Sequence, residues 1–344
     1  MDGGCPPEGG HPWAGRAAGT AALLIGILVA AMLVATAAGS VGLPLRQVAA
    51  ALLGRPVPAA VRDIVVAIRL PRVIMAALVG AGLGISGAVM QGVFRNPLAD
   101  PGLLGISAGA GFAAVLGIAL RAGGGLWSLQ GFTFVGALCG AGAVYGLAVR
   151  HGRTPVLALV LAGVAVSALF AAGTTLLLTL GPFASDVPAM LQWLYGSLNG
   201  ALWRQDAVLL PFVAAGAAAM LALARELNLL ATEEEGAAAL GVPAETVRRL
   251  LLALVALVTG AAVAAAGPIA FVGLMVPHIL RLLVGADHRR LLPASLLGGA
   301  SFLVGADLLA RTVAAPAEIS LGVVTALAGA PFFLYLLRRA VDQP

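Results

Sequence analysis

The chain has 344 residues, 60% hydrophobic and 10% charged, with a mean hydropathy of +1.02. Soluble domains are about a quarter charged, so this composition cannot build a water-exposed surface. All 20 basic residues are arginines, set against 15 acids; without lysine there is no GxxxxGK[ST] nucleotide site, whose lysine holds the β- and γ-phosphates.

Residues 1–16 are rich in Gly and Pro and are expected to form a disordered cytoplasmic tail. A membrane span needs roughly 20 apolar residues to cross about 30 Å of hydrocarbon. Ten runs qualify: 17–39, 73–92, 101–120, 129–149, 155–180, 206–225, 248–267, 269–284, 292–310 and 319–337. The first ends in Ala-Thr-Ala-Ala-Gly-Ser, which has the flavour of a signal-peptide cleavage site. Its apolar run is too long for that, and it reads as a retained span. The eighth is short and carries Pro277, so it is expected to bend or to cross only in part. Little chain remains outside the runs. Residues 17–340 therefore read as a single all-α polytopic membrane domain with about ten transmembrane helices. Cys5 and Cys139 fall in the tail and in a span, which implies neither a disulfide nor a metal framework.

With ten spans and the N-terminus inside, 12 arginines fall on the cytoplasmic side and 8 outside. Five of those eight (Arg46, Arg55, Arg62, Arg69 and Arg72) share the first outer loop. The remaining bias supports cytoplasmic N- and C-termini. Arginines at span ends can simply snorkel to headgroups; a cluster outside also suits an acidic partner. They are scattered over loop ends with no aromatic interleaving, which speaks against nucleic acid.

Gly80-Ala81, Gly87 and Pro97 recur 180 residues later as Gly260-Ala261, Gly267 and Pro277. Five intervening spans would invert the second copy, and inverted repeats are a common transporter plan. Proton- or sodium-coupled carriers place ionisable groups deep in the membrane. Here Asp307 is the main candidate, and Arg311 lies one helical turn away. Thr174, Thr175 and Thr179 offer hydroxyls to a path, although helical Thr often bonds its own backbone. His278 and His288 sit in PHILR and ADHRR at span ends, where a structural role fits better than ligation. No His, Cys or carboxylate pair has ligand spacing within a span.

Three segments carry a family resemblance: residues 69–111 (RLPRVIMAALVGAGLGISGAVMQGVFRNPLADPGLLGISAGAG), 267–290 (GPIAFVGLMVPHILRLLVGADHRR) and 317–337 (AEISLGVVTALAGAPFFLYLL). Together they resemble the permease subunits of type II ABC importers for iron-siderophores, haem and cobalamin, from about residue 40 onward. The resemblance implies a permease without catalysis or cofactor of its own, embedded in the bacterial cytoplasmic membrane. Its partners would be a second copy of itself, two ABC ATPase subunits that bind ATP-Mg, and an extracytoplasmic binding protein.

The resemblance also assigns roles. Arg69, Arg72 and Arg311 match arginines that receive acidic residues of the binding protein. The cytoplasmic loop 228–247 matches the ATPase-coupling segment, around Glu235, Leu240, Gly241 and Val242. Asn96 and Leu98, with Thr154 across from them, match the cytoplasmic gate. The expected cargo is an iron-siderophore, with haem or cobalamin as alternatives. A stand-alone secondary transporter fits the echo but not the inner loop. A membrane enzyme would need Asp307 and His278 together, and this topology puts them on opposite sides.

Overall fold

A computed structural model describes residues 12–39, 42–121, 126–180, 183, 185–232 and 243–341. Among these residues the chain is helical and contains no strand; a lone bridge pairs Arg150 with Arg153. The helices are α1 (Pro12–Ala37), α2 (Leu45–Leu52), α3 (Ala59–Arg62), a π-helical stretch (Asp63–Arg69), α4 (Leu70–Val93), a 3₁₀ turn (Pro101–Leu104), α5 (Ile106–Ala119), α6 (Leu126–Ala148) and α7 (Val156–Thr179). Then come α8 (Val187–Leu194), α9 (Trp203–Ala222), α10 (Ala224–Thr232), α11 (Ala244–Ala266), α12 (Val272–Val284), α13 (His288–Thr312) and α14 (Leu321–Val341).

Seven helical stretches are long and apolar enough to cross a membrane, and three shorter apolar helices accompany them at 106–119, 272–284 and 321–336. Each of the ten falls on one of the ten apolar runs. The first lies in α1, which starts at Pro12. The second is the long one. Helix continues without interruption through Ala59–Val93, 35 residues, or about 52 Å at 1.5 Å per residue. That exceeds the hydrocarbon by about 20 Å, more than a single perpendicular crossing requires. The eighth, α12, has 13 residues, about 20 Å, shorter than the roughly 30 Å of hydrocarbon.

The bundle is built around α4, which is buried continuously from Val79 to Phe94 and packs against α9, α11, α12 and α13. Apolar contact with neighbours gives little advantage over lipid, so close backbone approach has to hold such helices together. Glycine provides it: Gly80 and Gly84 lie on the main chain of Gly299 and Ser295 in α13, and Gly109 lies on that of Gly136 in α6. In contrast, α1, α6, α7 and α9 keep much of their surface open, and Leu157, Leu161, Leu169 and Leu327 of α7 and α14 are exposed.

The 180-residue echo does not extend to local structure. Gly87 is buried in mid-helix, whereas Gly267 terminates α11 with a left-handed φ of +73°. Pro97 lies in a turn, and Pro277 lies inside α12.

Candidate functional site

Two regions at opposite ends of the bundle gather the predicted residues. At the end bearing residues 38–72, the last carbonyls of α1 lack helical partners, as they do in any helix. Two arginines from elsewhere fill them. Arg69 donates to the carbonyls of Thr36 and Ala37 at 3.1 and 2.6 Å, and Arg311 donates to those of Ala38, at 3.1 Å, and Ala35. Cations there also suit the negative end of the helix dipole. Arg69 and Arg311 are each only 5% exposed.

Asp307 joins this layer to its neighbour. It is 1% exposed and sits 3.1 Å from Arg311 Nε and 2.9 Å from Arg72 Nη2. Arg72 then extends outward to Glu318, 3.1 Å away. Two of the three sequence-predicted docking arginines, Arg72 and Arg311, thus share one carboxylate, with Arg72 the nearer to solvent, while Arg69 binds the α1 carbonyls beside them. Exposed cations at this end include Arg46 and Arg55 around α2 and Arg62 at the end of α3. Trp203 Nε1 pins the π-helical stretch to α9 by donating to the Val66 carbonyl at 2.8 Å.

At the other end, the turn after α4 carries two predicted gate residues. Asn96 Oδ1 accepts from the Leu98 amide at 2.9 Å, an Asx turn that favours a helix stop over continuation. Just before it Arg95, with φ +50°, donates from Nε to the Leu230 carbonyl in α10 at 2.8 Å. The third gate residue, Thr154, is fully buried and its hydroxyl binds Glu245 in the first turn of α11. Glu245 also holds Arg248 and Arg249, both at 3.2 Å, and Arg249 reaches the Gly152 carbonyl. The predicted coupling residues Glu235, Leu240, Gly241 and Val242 lie outside the described residues. Both arms that flank them are described, and each is tied to one of the two predicted gate elements.

A third tie lies beside these. Asn228 of α10 donates to Asp287 at 2.6 Å and accepts from the His288 amide at 2.9 Å. Burial opposes charge on Asp287, but Asn228, the Arg289 amide and the nearby Arg289 and Arg290 outweigh it and hold its pKa below the usual carboxylate value. His288 is buried, with Nδ1 2.7 Å from the Asn228 side-chain oxygen. Arg281 reaches Gln91 at 3.1 Å. Thr174 and Thr179 bond carbonyls of their own helix. Among the described residues no group of three or more His, Cys, Asp or Glu is placed to hold a metal.

Sequence reasoning missed Asp206, a carboxylate with 4% exposure in the first turn of α9 whose oxygens accept no hydrogen bond among the described residues. It also missed a cavity of about 670 Å³ where α14 faces the junctions on either side of α5, α8 and α12, lined by Asp100, Ser107, Tyr195, Ile269, Val323 and Leu327. Neither has a local signal, since the cavity is assembled from segments more than 200 residues apart.

A bundle of apolar helices around a central glycine-packed helix, with an arginine-capped layer at one end and a segment strapped to two turns at the other, is the architecture of a polytopic membrane protein. The chain belongs to the FecCD transport family, which matches residues 27–339. It is 49% identical over 282 residues to the cobalamin import system permease of Halobacterium salinarum, covering 82% of this chain and 75% of that one. It is 44% identical to the hemin transport permease of Yersinia pestis over 80% of this chain and 83% of that one. The iron(3+)-hydroxamate import permease of Bacillus subtilis is 38% identical, over 95% and 85% of the two chains. A solved structure of a metal-chelate type ABC transporter in an inward-facing conformation superposes with a TM-score of 0.84 at 31% identity, covering 94% of this chain and 99% of the other.

Proposed function

We propose that this chain is the membrane permease of an ATP-driven importer that carries an intact metal chelate inward across the bacterial cytoplasmic membrane, with both termini on the cytoplasmic side. ATP-Mg is bound and hydrolysed by a separate pair of ATPase subunits. Two copies of the chain form the channel, and a binding protein delivers cargo from outside. The observation that carries this reading is the double strap at the arginine-rich end. Arg95–Leu230 and Thr154–Glu245 connect the two arms of the 228–247 segment to the two inner turns that would close a path. A partner that moves this segment moves both turns. Sparse charge along the cavity beside α14 suits a bulky cargo that must not be retained, and the open apolar faces of α7 and α14 suit a second copy.

For cargo, a ferric siderophore is the first reading, supported by the ferric hydroxamate relative, which aligns over 95% of this chain. Cobalamin is the second, favoured by the 49% identity to a cobalamin permease. Docking falls to the outer basic surface around Arg46, Arg55, Arg62 and Arg72, with Arg69 and Arg311 holding that surface in place from beneath.

The test is uptake of labelled ferric siderophore, haem and cobalamin into proteoliposomes containing this chain, its ATPase and its binding protein. ATP-dependent uptake of one of them supports the reading and names the cargo. Uptake that persists without the ATPase overturns it.

A further inference from the structure

A groove of about 360 Å³ opens on the flank of the bundle between α1 and the junction of α12 with α13, lined by Thr20, Leu24, Leu283, Arg289, Arg290 and Leu297 among others. Its size falls within the range of small-molecule sites. Its two ends differ in chemistry. Toward the membrane the surrounding side chains are exposed and apolar: Leu282 and Leu283 are 71% and 69% exposed, and Leu23 is 63% exposed. A water-soluble occupant would gain nothing from such surroundings. At the membrane edge stand Arg289 and Arg290, both exposed. Neither guanidinium has a hydrogen bond or ion pair among the described residues. The neighbouring carboxylate, Asp287, is already bound to Asn228 and to the Arg289 amide. Two permanent cations therefore face one carboxylate, and a positive excess remains at the mouth of an apolar slot.

We propose that this groove binds an anionic phospholipid of the leaflet at the arginine-rich end, with its phosphate between Arg289 and Arg290 and an acyl chain along Leu24, Leu283 and Leu297. Guanidinium groups grip phosphate oxygens through paired hydrogen bonds, and basic pockets between transmembrane helices are the expected receptors for anionic headgroups. The occupant would fill the seam between α1 and α13. One face of α1 packs on α13, with Leu24, Leu28 and Met32 against the core, and the rest of its surface is open. The site needs only a membrane setting and does not depend on which cargo is carried.

The test uses the full chain, purified and delipidated, with phosphatidylglycerol and phosphatidylcholine titrated in separately and bound lipid read by native mass spectrometry. Phosphatidylglycerol is expected to bind in preference to phosphatidylcholine. Arg289→Gln/Arg290→Gln is expected to weaken it by about thirtyfold, the loss for two arginine–headgroup contacts. Leu283→Trp, at an exposed position, should block the slot and reduce binding with both arginines intact. Equal binding of the two lipids, or an unchanged affinity in both variants, overturns the proposal. Displacement of phosphatidylglycerol by millimolar inorganic phosphate also overturns it, because the acyl chain would then contribute nothing.

Discussion

Arg95 Nε donates to the Leu230 carbonyl at 2.8 Å, joining residues 135 positions apart. The bond ties the turn after α4 to the end of α10, within the 228–247 segment expected to meet an ATPase. Its counterpart on the far side is Thr154 with Glu245, 91 positions apart.

If these straps transmit movement, cutting either one separates ATP hydrolysis from uptake. Arg95→Ala and Glu245→Gln are each predicted to lower uptake several-fold while the complex keeps most of its ATPase activity. Arg95→Gly is the informative control. Glycine relaxes the left-handed backbone at φ +50° yet also removes the strap, so a shared loss of coupling in Arg95→Ala and Arg95→Gly is due to the bond. Side-by-side ATPase and uptake rates in proteoliposomes check this; parallel loss of both activities would instead mean a misassembled complex.

The Asp307 carboxylate is predicted to be the most sensitive charge in the chain. It is buried between Arg72 and Arg311, and its removal leaves two guanidinium groups facing each other. Breaking a buried pair from one side costs about 3–5 kcal/mol. Asp307→Asn should therefore lower the thermal midpoint in detergent sharply. Glu318 binds the same Arg72, but its side chain is 35% exposed, and Glu318→Gln should cost less than about 1 kcal/mol. Similar midpoints for the two variants would contradict this ranking.

The membrane helices were legible because lipid contact and protein burial both select apolar side chains, so all ten appear as hydrophobic runs. The short α8 and α10 were not, since each has only a turn or two of amphipathic sequence at a membrane edge. The Asp307–Arg311 pair was legible from its i,i+4 spacing. The capping of α1 was not: Arg69 lies 32 residues from Ala37, and Arg311 lies 273 from Ala38. Nothing local distinguishes an arginine that caps a distant helix from one that awaits a partner. Thr154 could be singled out by resemblance, but its link to Glu245 requires the fold.

Glycine packing leads to a third prediction. A Cβ at Gly87 would overlap the Gly273 carbonyl, and one at Gly163 would overlap that of Leu103. These are main-chain atoms that cannot turn aside. Gly87→Ala and Gly163→Ala should each destabilise by about 1–3 kcal/mol, as overpacked sites do. At Gly142 and Gly146 of α6 nothing lies within 4 Å of an added Cβ, so alanine there should be neutral or better. Folded yield and thermal midpoint of the four variants measure the contrast.

The arginines at the end bearing residues 38–72 divide into those that hold the fold and those exposed to a partner. Arg69 is buried against α1, so Arg69→Glu puts a carboxylate among α1 carbonyl oxygens and should reduce folded protein before docking can be tested. Arg46 and Arg62 are exposed, and their reversal to Glu should leave the thermal midpoint unchanged. If an acidic binding protein docks there, the double reversal should weaken its affinity by about tenfold or more at low salt. The difference should shrink as salt shortens the Debye length to about 8 Å at physiological ionic strength. Affinity measured against salt for wild type, Arg46→Glu/Arg62→Glu and Arg72→Glu separates the cases. An unchanged affinity in the double variant at low salt would confine docking to Arg55 and Arg72; a salt-independent loss would point to altered shape in place of lost charge.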